Sequence, residues 1–233
     1  MKSRARSEWS RKLMPILGGV VFVMVLSLGL AQAQVPPTKH VTMTGNSIAQ
    51  MQGGFQPYEF PFLPAQNVVI RGQYGYTCNM ILILLPYLVP ANSDVVVLID
   101  STNDVLRGVA VADHIACISQ SITTLWQRNH KIKILLANTP PMGYGNCYGD
   151  FRDSIDAYNA AYVQLVNSYK TGAISVSLID VWTPNVQPDR WAIPAAMTGP
   201  CLIHPGPPNQ WTGGWLPPYF TAAITQAVKQ ALQ

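Results

Sequence analysis

Four short motifs, spread along most of the chain, contain the residue types that a serine nucleophile needs. Ser47 ends a Gly-Asn-Ser step after a short apolar run, and a His-Pro step far downstream contains His204. A serine hydroxyl is a poor nucleophile until a base takes its proton, so Ser47 requires an imidazole within hydrogen-bond reach. His204 is the candidate base.

Two further positions can stabilise negative charge on a reacting oxygen. Gly75, within Tyr-Gly-Tyr-Thr, can bring its backbone N–H close to a ligand because it has no side chain. Asn103, within Ser-Thr-Asn-Asp, carries a side-chain amide that can donate a hydrogen bond. With the backbone N–H of Ser47, these donors form a predicted oxyanion hole, in which one donor is worth about 2.7 to 4 kcal/mol.

Each of these residues also has a purely structural interpretation. Ser47 could cap a helix, and Asn103 could form an Asx-turn. Gly75 could serve a tight turn, and His204 could be an ordinary loop histidine. The other histidines are interpreted as structural or surface residues: His40, His114 and His130.

Apolar runs alternate with segments of helical period after residue 39. Strands are predicted over 40–43, 67–70, 95–99, 132–136 and 174–179, and helices over 78–88, 109–128, 153–169 and 219–232. This alternation predicts a three-layer α/β/α sandwich around a parallel sheet, whose ligand site lies at the carboxyl ends of the strands. Ser47, Gly75 and Asn103 each follow a predicted strand, so they are expected to meet at that edge.

In this order, Gly45-Asn46-Ser47, Gly75, Ser101-Thr102-Asn103-Asp104 and His204-Pro205 resemble the four sequence blocks of the SGNH (GDSL-type) hydrolases. The resemblance implies a flavodoxin-like sheet with strand order 2-1-3-4-5. It also implies a carboxylic ester hydrolase, of esterase, lipase or deacetylase type, that works through an acyl-serine intermediate. No cofactor and no metal are implied.

The chain departs from the family pattern at two positions. Asn46 stands where an acidic residue usually precedes the serine, and Cys201 stands where an aspartate usually orients the histidine. Losing such a carboxylate costs other serine hydrolases on the order of 10⁴ in turnover. Three outcomes are open: a backbone carbonyl orients His204 in a Ser-His dyad, Asp189 reaches in from the preceding loop, or the site is impaired.

The first 33 residues have the pattern of a secretory signal peptide. Five Lys or Arg precede an apolar run over 13–30, and Ala31-Gln32-Ala33 matches an A-x-A cleavage site. We therefore expect residues 34–233 to form one secreted or periplasmic domain. The alternative is an uncleaved membrane anchor, since 18 mostly apolar residues approach the length of a bilayer span.

The net charge of the predicted domain bears on which partners it binds. Residues 34–233 contain ten basic and ten acidic residues, so no net positive charge favours nucleic acid. The expected substrate is instead a small-molecule, glycan or lipid acyl ester, and the sequence carries no indication of oligomeric state.

All four cysteines lie after the signal segment, in the exported part of the chain, where disulfides can form. Three connectivities are possible, and a Cys147–Cys201 bridge is the first expectation.

Two alternative functions share most of this sequence evidence. Cys201 at the acid position is compatible with a non-catalytic binding domain on the same fold. A glycan O-acyltransferase would use every residue named above. Four tryptophans crowd the C-terminal loops, where they could either contact substrate or pack in the core: Trp182, Trp191, Trp211 and Trp215.

Overall fold

Five strands and six α-helices make up the described part of the chain. The computed structural model describes residues 38–52, 60–140, 150–181, 183 and 218–233. The strands are β1 (Val41–Gly45), β2 (Val68–Gly72), β3 (Val95–Ile99), β4 (Lys133–Ala137) and β5 (Ser175–Ile179). The helices are α1 (Ser47–Gln52), α2 (Cys78–Leu88), α3 (Thr102–Leu106), α4 (Val111–Arg128), α5 (Arg152–Tyr169) and α6 (Pro218–Leu232).

The strands form one parallel sheet in the order β2-β1-β3-β4-β5. At the carboxyl end of β1, Gly45 pairs with Gly72 of β2 and with Ile99 of β3. The predicted α/β fold and its strand order are therefore confirmed. Because the three strands end in register, the segments that follow them begin at one edge of the sheet.

Helices cover both faces of the sheet. Val95, Val97 and Ile99 of β3 pack in one core with α1 and α6, whereas Val96 and Leu98 pack in a second core with α2, α4 and α5. Successive side chains of a strand point to opposite faces, so a strand covered on both sides is apolar throughout. This arrangement confirms the predicted three-layer sandwich.

The region after β3 differs from its prediction. The long helix expected over 109–128 begins at Val111, and a separate short helix, α3, precedes it. Gly108 lies between them at φ +65°, a left-handed conformation that favours glycine and ends a helix. Asn103 therefore lies in the first turn of α3 rather than in a plain turn.

A disulfide joins Cys78, the first residue of α2, to Cys117 in α4, with Cα atoms 6.1 Å apart. Among the three connectivities, the one that contains this bridge also pairs Cys147 with Cys201. Both of those cysteines lie outside the described residues, so their pairing stays a prediction. A disulfide is compatible with an extracytoplasmic location.

No helix within the described ranges is both long and apolar enough to cross a bilayer. The predicted signal segment, residues 1–33, lies outside those ranges. The division into a signal peptide and a domain over 34–233 therefore stays a prediction.

Candidate active site

The turn after β1 places Ser47 at the first residue of α1, where it is almost fully buried, with 3% of its surface exposed. Two hydrogen bonds of Asn46 hold this turn. Its backbone N–H donates to the Ile99 carbonyl oxygen at 2.9 Å, and its Oδ1 accepts the Ile48 N–H at 2.9 Å. The residue in the family's acidic position thus shapes the serine turn through neutral hydrogen bonds.

Two glycines allow α1 to begin so close to the sheet. Gly45 has φ +137°, and a Cβ there would lie 2.0 Å from the Ile99 carbonyl oxygen. At Gly72, a Cβ would lie 2.1 Å from the Gln50 backbone nitrogen. Any side chain at either position would push the Ser47 turn away from its neighbouring strands, since real Cβ atoms do not approach other atoms so closely.

The loop after β2 carries Gly75, which has φ +72°. The Gln73 N–H donates to the Gly45 carbonyl at 2.9 Å, which ties this loop to the serine turn. From the other side, Arg107 Nη2 donates to the Gly75 carbonyl oxygen at 2.7 Å. The loop is therefore held both by the end of β1 and by the segment after β3.

Asn103 connects the same loop to the turn after β3. Its Nδ2 donates to the Tyr76 carbonyl oxygen at 2.9 Å, and the residue is only partly buried. A side-chain amide has two N–H donors, so this bond uses one of them. The structure thus brings together the segments that contain Ser47, Gly75 and Asn103.

Asp104 fixes the position of this turn relative to α2 and α4. Its Oδ2 accepts the backbone N–H of Cys78 at 2.9 Å, which satisfies a donor in the first turn of α2. Its Oδ1 lies 3.4 Å from Nδ1 of His114. Since Cys78 is also bridged to Cys117, a carboxylate and a disulfide anchor the same helix start.

A buried polar cluster lies behind this turn and was not identified from the sequence. It consists of Asp100, Asp104, His114, Tyr158 and Tyr162, each at most 2% exposed. The His114 Nε2 lies 2.9 Å from the Tyr162 hydroxyl, which in turn lies 3.5 Å from the Asp100 carbonyl oxygen. His114 is therefore structural, in agreement with its predicted role. The i, i+4 spacing of the two tyrosines was the available signal.

Burial controls the ionisation of Asp100 and Tyr162 in this cluster. Burial, and secondarily the neighbouring Asp104 carboxylate, raises the pKa of Asp100 well above its ordinary value. Asp100 Oδ1 has no hydrogen-bond partner among the described residues. Burial also raises the pKa of the Tyr162 hydroxyl, and the Asp100 carboxylate adds to that rise.

The predicted base and its candidate partners lie outside the described residues: His204, Cys201 and Asp189. The same holds for the four tryptophans of the C-terminal loops. The described half of the site is thus the half that would carry the nucleophile and the oxyanion donors. The roles assigned to all these residues stay predictions.

Comparison with known proteins identifies the family. The model of the GDSL-like lipase/acylhydrolase family matches residues 44–208, a range that includes all four motifs. No match is found among curated proteins.

Three solved structures illustrate the shared fold. A GDSL-like lipase from Bacteroides thetaiotaomicron aligns over 91% of this chain and 96% of its own, with 20% identity and a TM-score of 0.62. An acetylxylan esterase from Geobacillus stearothermophilus aligns over 85% and 96%, with 16% identity and a TM-score of 0.57. A carbohydrate esterase of family 3 from Talaromyces cellulolyticus aligns over 83% and 98%, with 15% identity and a TM-score of 0.53.

At these identities the structures establish the fold alone, whereas the family model covers well over half of the chain. The resemblance seen in the four motifs is therefore confirmed: this chain belongs to the GDSL-like lipase/acylhydrolase family and is an ester hydrolase.

Proposed function

We propose that this protein is an exported hydrolase of carboxylic O-acyl esters, with Ser47 as its nucleophile. The observation that carries the proposal is the meeting of three segments at one edge of the sheet. The Ser47 turn is bonded to the loop of Gly75, and Asn103 is bonded to the same loop through the Tyr76 carbonyl. The sequence supplies the residue types, and the proximity of the three segments supports a shared role for them.

In the proposed reaction, Ser47 Oγ attacks the ester carbonyl carbon while His204 takes the hydroxyl proton. The tetrahedral intermediate collapses to an acyl-serine, and the departing alcohol receives that proton from His204. Water then attacks the acyl group with His204 again as base, which releases the carboxylic acid and restores Ser47. No redox change and no cofactor are required by these steps.

Charge develops on the carbonyl oxygen in both tetrahedral intermediates. The proposed donors are the backbone N–H groups of Ser47 and Gly75 and the second N–H of the Asn103 amide. Removing one donor of this kind costs other hydrolases about 2.7 to 4 kcal/mol of transition-state stabilisation. Arg107 supports this loop, because it holds the Gly75 carbonyl and so limits rotation of the Gly75–Tyr76 peptide, next to the peptide that carries the Gly75 N–H.

His204 needs a partner that fixes its tautomer, and Cys201 cannot supply a carboxylate. We propose a backbone carbonyl as that partner, which gives a Ser-His dyad, with Asp189 as the alternative. In the dyad, the Cys201 disulfide would position the loop that carries His204 without contributing charge.

Export is supported by the N-terminal signal pattern and by the Cys78–Cys117 disulfide. The two carbohydrate-directed esterases with the same fold support an acylated glycan as one substrate class. Small esters and acyl lipids are the other classes that the same chemistry accepts.

The test uses the protein exported from the full-length chain, assayed with p-nitrophenyl acetate and butyrate. Ser47→Ala is expected to reduce turnover by at least about 10⁴ and to abolish labelling by a fluorophosphonate probe. Ser168→Ala is the matched control, because Ser168 is exposed near the far end of α5. Equal turnover in wild type and Ser47→Ala would exclude Ser47 as nucleophile. Product analysis with a glycan acceptor present separates hydrolysis from acyl transfer.

A further inference from the structure

Exposed large apolar side chains are concentrated on one structural unit. Five such side chains are more than two-fifths exposed in the described part of the chain, and four of them belong to the segment formed by β2, the following loop and α2. These four are Tyr74 (53%), Met80 (42%), Ile83 (74%) and Tyr87 (77%). We call them the α2 face. The fifth, Val163 (46%), lies alone on α5.

The α2 face is a continuous stripe along the helix. Positions 80, 83 and 87 have the i, i+3, i+7 spacing of one helical face, and Tyr74 precedes the helix. The opposite side of α2 is buried in the core through Cys78, Ile81, Leu85 and Leu88. A helix at the surface of a soluble domain normally has a polar outer side, so an apolar outer side indicates contact with another apolar surface.

The charge pattern around the face is unusual as well. From Phe60 through Ser93, the only charged residue is Arg71. Arg71 is exposed and donates through Nη1 to the Tyr87 carbonyl at 2.6 Å, so its guanidinium lies beside the stripe. Exposed tyrosines with a neighbouring cation are typical of surfaces that enter the interface of a phospholipid bilayer.

One end of the α2 face lies beside the point where the described chain enters the sheet. The described chain enters the sheet at Lys39, just before β1. Lys39 lies beside the start of β2, because its carbonyl accepts a hydrogen bond from Asn67 Nδ2 at 3.0 Å. The C-terminal end of α2 lies on the side of the sheet where the strands begin, because Asp94, which follows α2, donates its N–H to the His40 carbonyl at 2.9 Å. The N-terminal end of α2 lies close to Gly75 in the sequence. Only residues 31–37 separate the apolar run over 13–30 from the described domain, and seven residues span at most about 25 Å.

We propose that the α2 face docks on the surface of a phospholipid bilayer and presents the Gly75 loop to esters held there. Export through the N-terminal run delivers the chain to a membrane, and Tyr74 of the α2 face adjoins Gly75 in the sequence. Tyr87, Ile83 and Met80 then enter the interfacial layer, and Arg71 pairs with lipid phosphate. The substrate class, an acyl ester presented at a lipid surface, rests on the proposed function, whereas docking itself does not.

The test compares two variants that add the same charge at an exposed apolar position on a helix. Protein exported from the full-length chain, confirmed by intact mass to begin after Ala33, is sedimented with vesicles of phosphatidylcholine and phosphatidylglycerol. Ile83→Glu is expected to weaken vesicle binding at least about tenfold, because it removes apolar contact and adds a carboxylate. Val163→Glu is expected to bind as wild type does.

A second measurement is needed if the exported protein retains its first 33 residues. Sedimentation with vesicles would then measure membrane binding by the apolar N-terminal run rather than by the α2 face. Hydroxyl-radical footprinting then compares the free and vesicle-bound protein. Protection of Met80 and Tyr87 without protection of Val163 is expected. Equal reactivity of all three side chains in the two states would overturn the proposal.

Four other results separate the remaining possibilities. Equal vesicle binding by Ile83→Glu and Val163→Glu, or none by wild type, overturns docking. A concentration-dependent dimer that Ile83→Glu abolishes and Val163→Glu does not would assign the face to a second copy and also overturn it. Hydrolysis of soluble p-nitrophenyl acetate is expected to be unchanged by Ile83→Glu. If Ser47→Ala keeps full activity, the proposed function fails while the vesicle result still decides docking.

Discussion

The turns after β1 and β3 lie at the same edge of the sheet, but different interactions hold them in place. The turn after β1 contains no ionisable side chain, and backbone hydrogen bonds and the absence of a Cβ at Gly45 fix its shape. The turn after β3 contains two buried aspartates, Asp100 and Asp104, and Asp104 contacts a histidine and a helix start. One turn is thus fixed by steric fit and the other by electrostatics.

This difference has a consequence for the conditions under which each turn is stable. Steric fit does not change with pH, so the serine turn is expected to keep its geometry across the working range. A buried carboxylate changes its charge when pH crosses its pKa, and the turn that carries Asn103 then gains or loses stability. Changes that act on only one of the two turns therefore separate the two mechanisms.

The largest effect is expected from Gly45→Ala. The new Cβ would collide with the Ile99 carbonyl, and alanine would have to adopt the positive φ of this position. We therefore expect the free energy of unfolding to fall by about 4 kcal/mol or more. Gly108→Ala is the matched control, since Gly108 also has positive φ but nothing lies within 4 Å of its Cβ position. That control is expected to lose about 1 to 2 kcal/mol. Chemical denaturation measures both, and equal losses would show that crowding does not fix the serine turn.

The second prediction concerns the disulfide beside the electrostatic turn. Cys78→Ser/Cys117→Ser removes a bridge between residues that are 39 positions apart. The loop-closure entropy of the unfolded chain predicts that this lowers the free energy of unfolding by about 4 kcal/mol. The free energy of unfolding, from urea titration, measures this loss. The double variant isolates one bridge, whereas reductant would act on every disulfide present. A loss below about 1 kcal/mol would show that the bridge adds nothing to the anchoring by Asp104.

Asp104→Ala tests the electrostatic turn directly. It leaves the Cys78 N–H and the His114 ring without their carboxylate partner in a buried environment, so we expect a loss of about 2 to 4 kcal/mol. Asp113→Ala is the control, because Asp113 is an exposed acid in the first turn of α4 and is expected to lose less than about 1 kcal/mol. Turnover should fall with Asp104→Ala as well, since the turn carries Asn103. Unchanged stability would contradict an electrostatic origin of this turn.

The smallest effect is a pH dependence of stability due to Asp100. Its pKa is higher in the folded state than in the unfolded chain, so its contribution is complete below the unfolded pKa and is lost as pH rises through the folded pKa. Asp100→Asn cannot ionise and should remove this loss. At pH 7 we expect Asp100→Asn to be more stable than wild type, because the amide has no charge whose burial opposes folding.

The measurement for Asp100 is the melting temperature at several values between pH 4 and pH 8, for wild type and Asp100→Asn. The two curves should converge at the acid end and separate as pH rises. Gly108→Ala, which changes no charge, should follow the wild-type profile with a constant offset. Parallel curves for wild type and Asp100→Asn would show that Asp100 does not titrate in this range.

Much of the fold follows from the sequence because its signals are local. The apolar run of β3 and the helical period of the segment ending at Arg128 each arise from neighbouring residues. Alternation of such runs with helices allows few topologies, so the parallel sheet and its carboxyl-edge site could be predicted. The positions of Ser47, Gly75 and Asn103 after their strands follow from the same alternation.

Other features depend on residues far apart in the chain. The pairs His114–Tyr162 and Cys78–Cys117 are separated by 48 and 39 positions, and no local pattern indicates which partner each residue finds. The apolar period of α2 predicts a helix, but it does not say that one apolar side lies outside the core. The sequence by itself thus determined the five strands, the four longer helices, their order and the candidate nucleophile. Only the tertiary structure decided the buried electrostatic cluster and the exposed α2 face, because both are set by packing between elements rather than within one.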